Sequence, residues 1–177
     1  MTLEYTLQVN DHLQLYLYVA KKDKILRKAI VRDCLIYCIL FLIIGSVFYY
    51  YHNRDGMILI LALTAGFIIF RPGRLKAKYF DQYLKLATAS YYKESQTTLQ
   101  IDNEFIETKT SSSEIKIKPT AIEKFIETKQ NVFIKLKSVY IIIPKSIPGN
   151  TVDISGELKK FAERFNTEFV SDINFKW

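Results

Sequence analysis

The residues best able to carry chemistry in this chain are two histidines and two cysteines, and neither pair forms a recognisable site. His12 and His52 stand on opposite sides of a long apolar run. Cys34 and Cys38 are four apart on one face of that run, where a free apolar thiol is the expected role. No His, Cys, Asp and Glu set has metal-ligand spacing, and no phosphate loop or nucleophile motif stands out. We therefore predict a protein that is not an enzyme and needs no metal or cofactor.

The acidic and serine clusters also have simple structural interpretations. Glu104 with Glu107, and Glu123 with Glu127, alternate with lysines and are predicted to lie on solvated strand faces. The run 111–113 is three serines and is predicted to be a polar turn rather than a nucleophile site. An enzyme with an unfamiliar site is the least favoured of the alternatives that remain.

Two uncharged runs separated by a short polar break dominate the chain. Residues 34–51 and 57–70 contain no charged side chain. As helices they would be about 27 Å and 21 Å long, against a hydrocarbon core of about 30 Å. The shorter run alone would suit a buried core helix or a re-entrant segment, so its reading as a span depends on the charges around it.

The net charge of +7 is concentrated beside the apolar runs. Segments 21–32 and 71–93 each carry a net charge of +5, residues 94–177 are neutral, and the break at 52–56 holds one Arg and one Asp. The positive-inside rule predicts a transmembrane hairpin with both flanks and both termini in the cytoplasm, as a multi-pass protein of the cytoplasmic (inner) membrane. The neutral C-terminal part argues against nucleic acid as a partner.

The basic flanks are also candidates for binding anionic lipid. Each Lys or Arg near an anionic leaflet contributes about 1 kcal/mol of attraction. The alternative is that these residues only determine topology. The predicted contacts with membrane lipids are Lys21, Lys22, Lys24, Arg27, Lys28, Arg32, Arg71, Arg74, Lys76 and Lys78.

Small residues in the two runs suggest close helix packing. Gly45 and Ser46 in the first run, and Thr64 and Gly66 in the second, would let helices approach each other. This favours packing within the hairpin, or a homo-oligomer formed through it, over transport.

The segments around the hairpin have helical and extended patterns. Residues 3–9 alternate like a strand, and a helix is predicted from His12 that could run on into the first span. Pro72 and Gly73 predict a break, followed by an amphipathic helix from Leu75 to about Tyr92. This helix could lie on the bilayer or pack on the first helix, and packing is favoured.

The last eighty residues predict an antiparallel sheet that is followed by one amphipathic helix. Ile115 and Ile117 are expected to face inward, and Pro119 to end their strand. After residue 151 the stripe Ile154, Leu158, Phe161 and Phe165 predicts the helix. The six predicted strands are 98–101, 105–108, 114–118, 122–128, 132–136 and 139–143.

The predicted fold class is α+β: a two-helix transmembrane hairpin plus a small antiparallel β domain with a C-terminal capping helix. The expected segments are 1–33 (strand and basic helix), 34–70 (hairpin), 71–94 (basic amphipathic helix) and 95–177 (β domain). The sequence leaves open whether the opening strand joins the C-terminal sheet. If it does, the hairpin is an insertion within one discontinuous domain, and the strand can bury its apolar face.

Several short segments resemble the YcxB-like membrane protein family. They are EYTLQ at 4–8, DHL at 11–13, the basic segment before the hairpin, IEKFIET at 122–128 and VYIIIPK at 139–145. The resemblance implies a cytoplasmic domain similar to bacterial pleckstrin-homology-like domains and supplies no catalytic residues. Our leading hypothesis is a membrane-anchored, non-enzymatic protein that presents this domain to an unidentified protein or lipid partner. The alternative is an immunity or defence-associated membrane protein that neutralises a toxin.

Overall fold

The computed structural model describes residues 2–22, 25–52, 54–91, 96–102, 104–110, 113–137, 139–148 and 153–177. The fold is α+β. It divides into a sheet unit, Met1–Tyr18 with Tyr83–Trp177, and a hairpin unit, Val19–Gln82. These bounds differ from the four expected segments because the opening strand and parts of two helices belong to the sheet unit.

The chain begins with one strand, which is followed by three helices and then by six strands. A fourth helix and a last strand end it. The helices and strands are β1 (Thr2–Thr6), α1 (Val9–Lys22), α2 (Ile25–Tyr50), α3 (Arg54–Tyr91), β2 (Gln96–Ile101), β3 (Ile106–Thr110), β4 (Glu114–Ile117), a short 3-10 helix (Pro119–Ala121), β5 (Ile122–Glu127), β6 (Asn131–Leu136), β7 (Tyr140–Pro144), α4 (Ile154–Arg164) and β8 (Glu168–Ser171).

In the hairpin unit α2 and α3 are each long and apolar enough to cross a membrane. The most apolar stretch of each helix is 0% buried inside the protein. The helices contact each other through Tyr37 of α2 and Phe67 of α3, whose ring centroids are 4.3 Å apart. Phe41 approaches the same Phe67 ring at 6.0 Å. The apolar runs therefore form two paired helices with their outer faces uncovered.

The expected break at Pro72 and Gly73 is wrong, because α3 continues through both residues. Proline removes one backbone donor from a helix, and the cost is that of one hydrogen bond plus local strain. Gly73 does not adopt the positive φ that would end a helix. Leu, Ala and Lys after Gly73 are strong helix formers, so the helix resumes at once.

The sheet unit contains two four-stranded sheets. The first has the order β1-β2-β3-β4 and is antiparallel throughout. The second has the order β7-β6-β5-β8, with β8 parallel to β5. All six predicted strands are confirmed within about two residues at each end. Strand β8 was not expected.

The opening strand joins the first sheet. Leu3 of β1 pairs with Leu99 of β2, and Leu3, Tyr5 and Leu7 are all buried. The strand ends at Thr6 and the helix begins at Val9, three residues before the expected start. Asp11 explains the early start, because its carboxylate accepts a hydrogen bond of 2.8 Å from the N–H of Gln8. The sheet unit is therefore discontinuous, with the hairpin unit inserted between β1 and β2.

Helix α4 packs on the second sheet. Leu158 and Phe161 are buried, and the Phe161 ring lies 6.2 Å from that of Phe125 in β5. The helix is followed by a left-handed residue, Asn166 at φ 51°. The N–H of Thr167 then donates to the carbonyl of Ala162 at 2.8 Å, a Schellman closure that reverses the chain into β8.

The last turns of α3 pack on α1, as the amphipathic pattern predicted. Ala87 is fully buried with Leu13 and Leu17 of α1. The Tyr16 hydroxyl lies 2.7 Å from the Ser90 hydroxyl. The apolar stripe of α3 passes through Ala87 rather than the expected Leu86, which is 53% exposed.

Candidate functional site

The predicted lipid contacts fall in the hairpin unit, and we call the described members the basic cluster. Lys21 and Lys22 end α1, and both are exposed. Lys24 lies outside the described residues. The other members are Arg27, Lys28 and Arg32 in the first turns of α2, and Arg71, Arg74, Lys76 and Lys78 in the middle of α3.

Arg71 shows that the two halves of this cluster meet on one end of the hairpin. Its Nη2 donates to Oδ2 of Asp33 in α2 at 3.2 Å. Its guanidinium carbon also lies 5.4 Å from the Tyr37 ring centroid and 5.5 Å from that of Phe67. Arg71 is therefore held by ion pairing and by two aromatic faces, an arrangement that suits the planar guanidinium better than an ammonium.

The neighbouring cations of α3 are different. Arg74, Lys76 and Lys78 are exposed, and within the described ranges they form no hydrogen bond or ion pair with protein groups. The helix thus carries one positive charge that the protein neutralises, followed by three that it leaves available.

The sheet unit contains a second candidate site, a cavity of about 270 Å³ that we call the sheet cleft. Residues of β4 and β7 are among those that line it. Residues from both sheets, from α1 and from the end of α3 line it: Tyr5, Leu7, His12, Leu15, Tyr16, Ser90, Thr97, Thr108, Thr110, Ser113, Ile115, Val139, Tyr140, Ile141 and Ile142. The lining is rich in hydroxyl groups and aliphatic carbon, and it includes no carboxylate and no Lys or Arg among the described residues.

The buried part of the sheet cleft contains hydroxyl groups beside aliphatic side chains. The buried Tyr5 hydroxyl donates to the carbonyl of Ile142 in β7 at 2.9 Å, which ties one sheet to the other. Burial, with a smaller contribution from the charge on Asp11, raises the pKa of Tyr5 far above its ordinary value, so the phenol stays a donor. Thr97 is 6% exposed, and its Oγ1 has no hydrogen-bond partner in the described protein. A buried unpaired hydroxyl costs free energy that a ligand group could recover.

The exposed residues that line the sheet cleft, which we call its mouth, are Ser113, Ile115 and Val139. Ile115 of β4 is 38% exposed and Val139, just before β7, is 47% exposed. Ile117 is buried as expected. Ile115 lies on the same face of β4, opposite the buried Thr108 of β3, but it is only partly covered because β4 is at the edge of its sheet.

Both strands at the mouth are sheet edges among the described strands. β4 pairs only with β3, and β7 pairs only with β6. An edge strand offers backbone N–H and C=O groups to an added strand. The cleft thus combines unpaired backbone, exposed aliphatic side chains and a buried hydroxyl within one small region.

Glu127 of β5 accepts three side-chain hydrogen bonds within the sheet unit. Its carboxylate accepts hydrogen bonds from Lys145 Nζ at 2.6 Å, Ser155 Oγ at 2.7 Å and Ser171 Oγ at 2.9 Å. Burial acts to raise the pKa of Glu127, but these three donors outweigh it and hold the pKa below its ordinary value.

The expectation that Glu127 lies on a solvated face is therefore wrong. Its donors come from the segment after β7, from α4 and from β8, so the carboxylate fastens three elements to β5. Glu123 behaves more nearly as expected: it is exposed and pairs with Lys135 at 2.7 Å. We assign Glu127 a structural role, because its carboxylate joins these three elements to β5.

Sequence patterns located the basic cluster but missed Asp33 and the sheet cleft. Asp33 is an acid directly before an apolar run, and a charge at that position was the signal that could have predicted an ion pair with the other helix. The cleft residues are separated by up to 137 positions in the chain, so no local pattern could group them. In the part of the chain that the structure describes, no three His, Cys, Asp or Glu residues are placed to hold a metal ion. No protein-family model, curated protein or solved structure matches the chain.

Proposed function

We propose that this chain is a membrane-anchored, non-enzymatic binding protein. In this proposal α2 and α3 insert as a hairpin into the cytoplasmic (inner) membrane. The sheet unit stays in the cytoplasm and binds an extended segment of a partner protein at the sheet cleft.

The observation that carries the membrane part is the exposed apolar surface of the hairpin unit. Soluble monomers rarely expose contiguous apolar patches beyond a few hundred Å². Here large apolar side chains are exposed along both helices, including Leu42 at 71%, Leu61 at 67% and Ile69 at 71%. Lipid is the solvent that would match this surface.

The charges support the orientation. The basic cluster lies at one end of the hairpin, and the turn after α2 carries almost no positive bias. The positive-inside rule then favours a cytoplasmic location for the cluster, and with it for both ends of the chain.

The sheet cleft supports binding to a protein. An extended peptide beside β4 or β7 would satisfy edge backbone groups, and its side chains could contact Ile115 and Val139. In this proposal the two sheets and α4 form the pleckstrin-homology-like domain that the resemblance to YcxB-like proteins implies. A shared fold does not assign a ligand, so the partner is argued from the cleft alone.

Topology is tested by labelling single cysteines in native membranes with an impermeant maleimide. Cys34 and Cys38 are first replaced by Ala, and cysteine is then introduced as His52→Cys or Lys129→Cys. We expect His52→Cys to react in intact cells and Lys129→Cys to react only after permeabilisation. Equal reactivity of both sites, or release of the protein by alkaline carbonate, would overturn the membrane proposal.

Partner binding is tested by photocrosslinking from the mouth of the cleft. A photoreactive residue at Val139 is compared with one at Lys159, an exposed position on α4. We expect one dominant protein adduct from Val139 that is absent from Lys159 and is lost when Ile115→Glu places a charge at the mouth. Identical adducts from both positions, or lipid adducts only, would contradict a peptide-binding cleft.

A further inference from the structure

A groove runs along the outer surface of the hairpin unit and has a volume of about 380 Å³. Its apolar lining includes Phe41 of α2 with Gly66, Phe67 and Phe70 of α3, and Arg74 lies at one end. This volume is within the range of ligand-binding clefts. The groove therefore has a long apolar wall and a cationic end.

The length of the groove matches one leaflet of a bilayer. Its α3 lining extends from Ala62 to Arg74, which is about 18 Å of helix. Half of a hydrocarbon core is about 15 Å. An acyl chain lying in the groove would place its headgroup at the level of the arginines.

The two arginines at the cationic end differ in availability. Arg71 is engaged by Asp33 and by the Tyr37 and Phe67 rings. Arg74 is exposed and, among the described residues, has no hydrogen bond or ion pair with a protein group. A guanidinium can bind a phosphate through two hydrogen bonds at once, so Arg74 is the group suited to a phosphodiester.

Gly66 keeps the middle of the groove open. A Cβ placed on Gly66 would meet no atom within 4 Å. The absence of a side chain is therefore not required by helix packing at this position. A side chain at Gly66 would therefore begin in the open space of the groove.

We propose that this groove binds one acyl chain of an anionic phospholipid, with the lipid phosphate on Arg74. The inference rests on the proposed insertion of the hairpin, and it adds a defined lipid site to that general anchoring. Charge complementarity favours a phospholipid over a neighbouring protein helix, because the cationic end would be buried unpaired against an apolar helix.

The test is native mass spectrometry of the detergent-solubilised full chain, titrated with phosphatidylglycerol or with phosphatidylcholine of the same chains. We expect one phosphatidylglycerol to bind preferentially, and Arg74→Gln to weaken it about fivefold, with little effect on phosphatidylcholine. Gly66→Leu should weaken both lipids, because it fills the space of the chain.

Lys85→Gln is the matched control: it removes one exposed positive charge from α3 but neither lines the groove nor belongs to the basic cluster. If Lys85→Gln lowers binding as much as Arg74→Gln, attraction is diffuse and the site is wrong. Equal binding of the two lipids to the unmodified chain would also overturn it. Either result would overturn the lipid site without overturning membrane insertion, because carbonate extraction tests insertion separately. Gly66→Leu is interpreted only if the variant still sediments with membranes.

Discussion

The sheet unit and the hairpin unit place their large apolar side chains in opposite ways. In the sheet unit Phe125, Phe133 and Ile134 are fully buried. In the hairpin unit Leu42, Ile69 and Phe70 are each 71% exposed. One unit buries its large apolar side chains within itself, and the other leaves them uncovered. Apolar content alone therefore does not define a core.

The two units also differ in how far apart their contacts lie along the chain. β1 pairs with β2 across more than ninety residues, and this pairing completes a sheet. The hairpin unit is one continuous segment, and its backbone hydrogen bonds are local to each helix. Loss of a terminal segment should therefore damage the sheet unit far more than the hairpin unit.

The largest expected effect comes from deleting residues 1–7. The deletion removes three buried side chains, Leu3, Tyr5 and Leu7, each worth about 1.5–3 kcal/mol of burial. Their sum is comparable to the whole stability of a typical domain. We expect the sheet unit to lose its cooperative unfolding transition while the chain still sediments with membranes.

Fluorescence of Trp177 measures this outcome locally. It is the only tryptophan, and it lies in the sheet unit with its ring 6.3 Å from that of Tyr83. Limited proteolysis provides a second readout. An unchanged Trp177 transition in urea would show that β1 does not stabilise the rest of the sheet unit.

A matched pair of leucines tests the contrast between the units at single residues. Leu158→Ala in α4 removes a fully buried side chain and should lower the free energy of unfolding of the sheet unit by about 2–5 kcal/mol. Leu59→Ala in α3 truncates a side chain that is 59% exposed and should change it by less than about 0.5 kcal/mol. Urea titrations followed by Trp177 measure both. Similar losses from the two variants would contradict a separate core for the sheet unit.

Periodicity explains which elements could be predicted. Alternating apolar residues are a local signal, so six of the seven strands after α3 could be predicted. The helical spacing of Ile154, Leu158 and Phe161 is a local signal too, and it predicted α4. β8 was missed because its two partly buried residues, Phe169 and Val170, are too short a run to stand out. Pro72 was expected to end a helix because proline lacks a backbone donor. The strong helix formers on both sides of it outweigh that local effect, and α3 continues.

The candidate sites also differ in whether a local pattern could predict them. The basic cluster could be predicted because charge is a property of composition and position. The sheet cleft could not, since Tyr5, Thr97 and Ile142 meet only after β1 pairs with a sheet that begins ninety residues later. The groove of the hairpin unit forms because Gly66 of α3 and Phe41 of α2 line the same space. The helical period of each segment does not predict which faces of two helices meet.

The smallest expected effect is an acid sensitivity confined to the sheet unit. The folded pKa of Glu127 lies below its ordinary value of 4.5, so its contribution to stability is present above that pH and is lost as pH falls through the folded pKa. Glu127→Gln should cost about 1.5–3 kcal/mol at pH 7, the usual value of a hydrogen bond to a charged group, and should flatten the stability profile below pH 4.5. Glu123→Gln, which removes the exposed partner of Lys135, is the control and should leave the profile unchanged. If the Trp177 transition of the unmodified chain weakens no faster in acid than that of Glu127→Gln, then Glu127 does not fasten β8 and α4 to β5, and another contact must hold them.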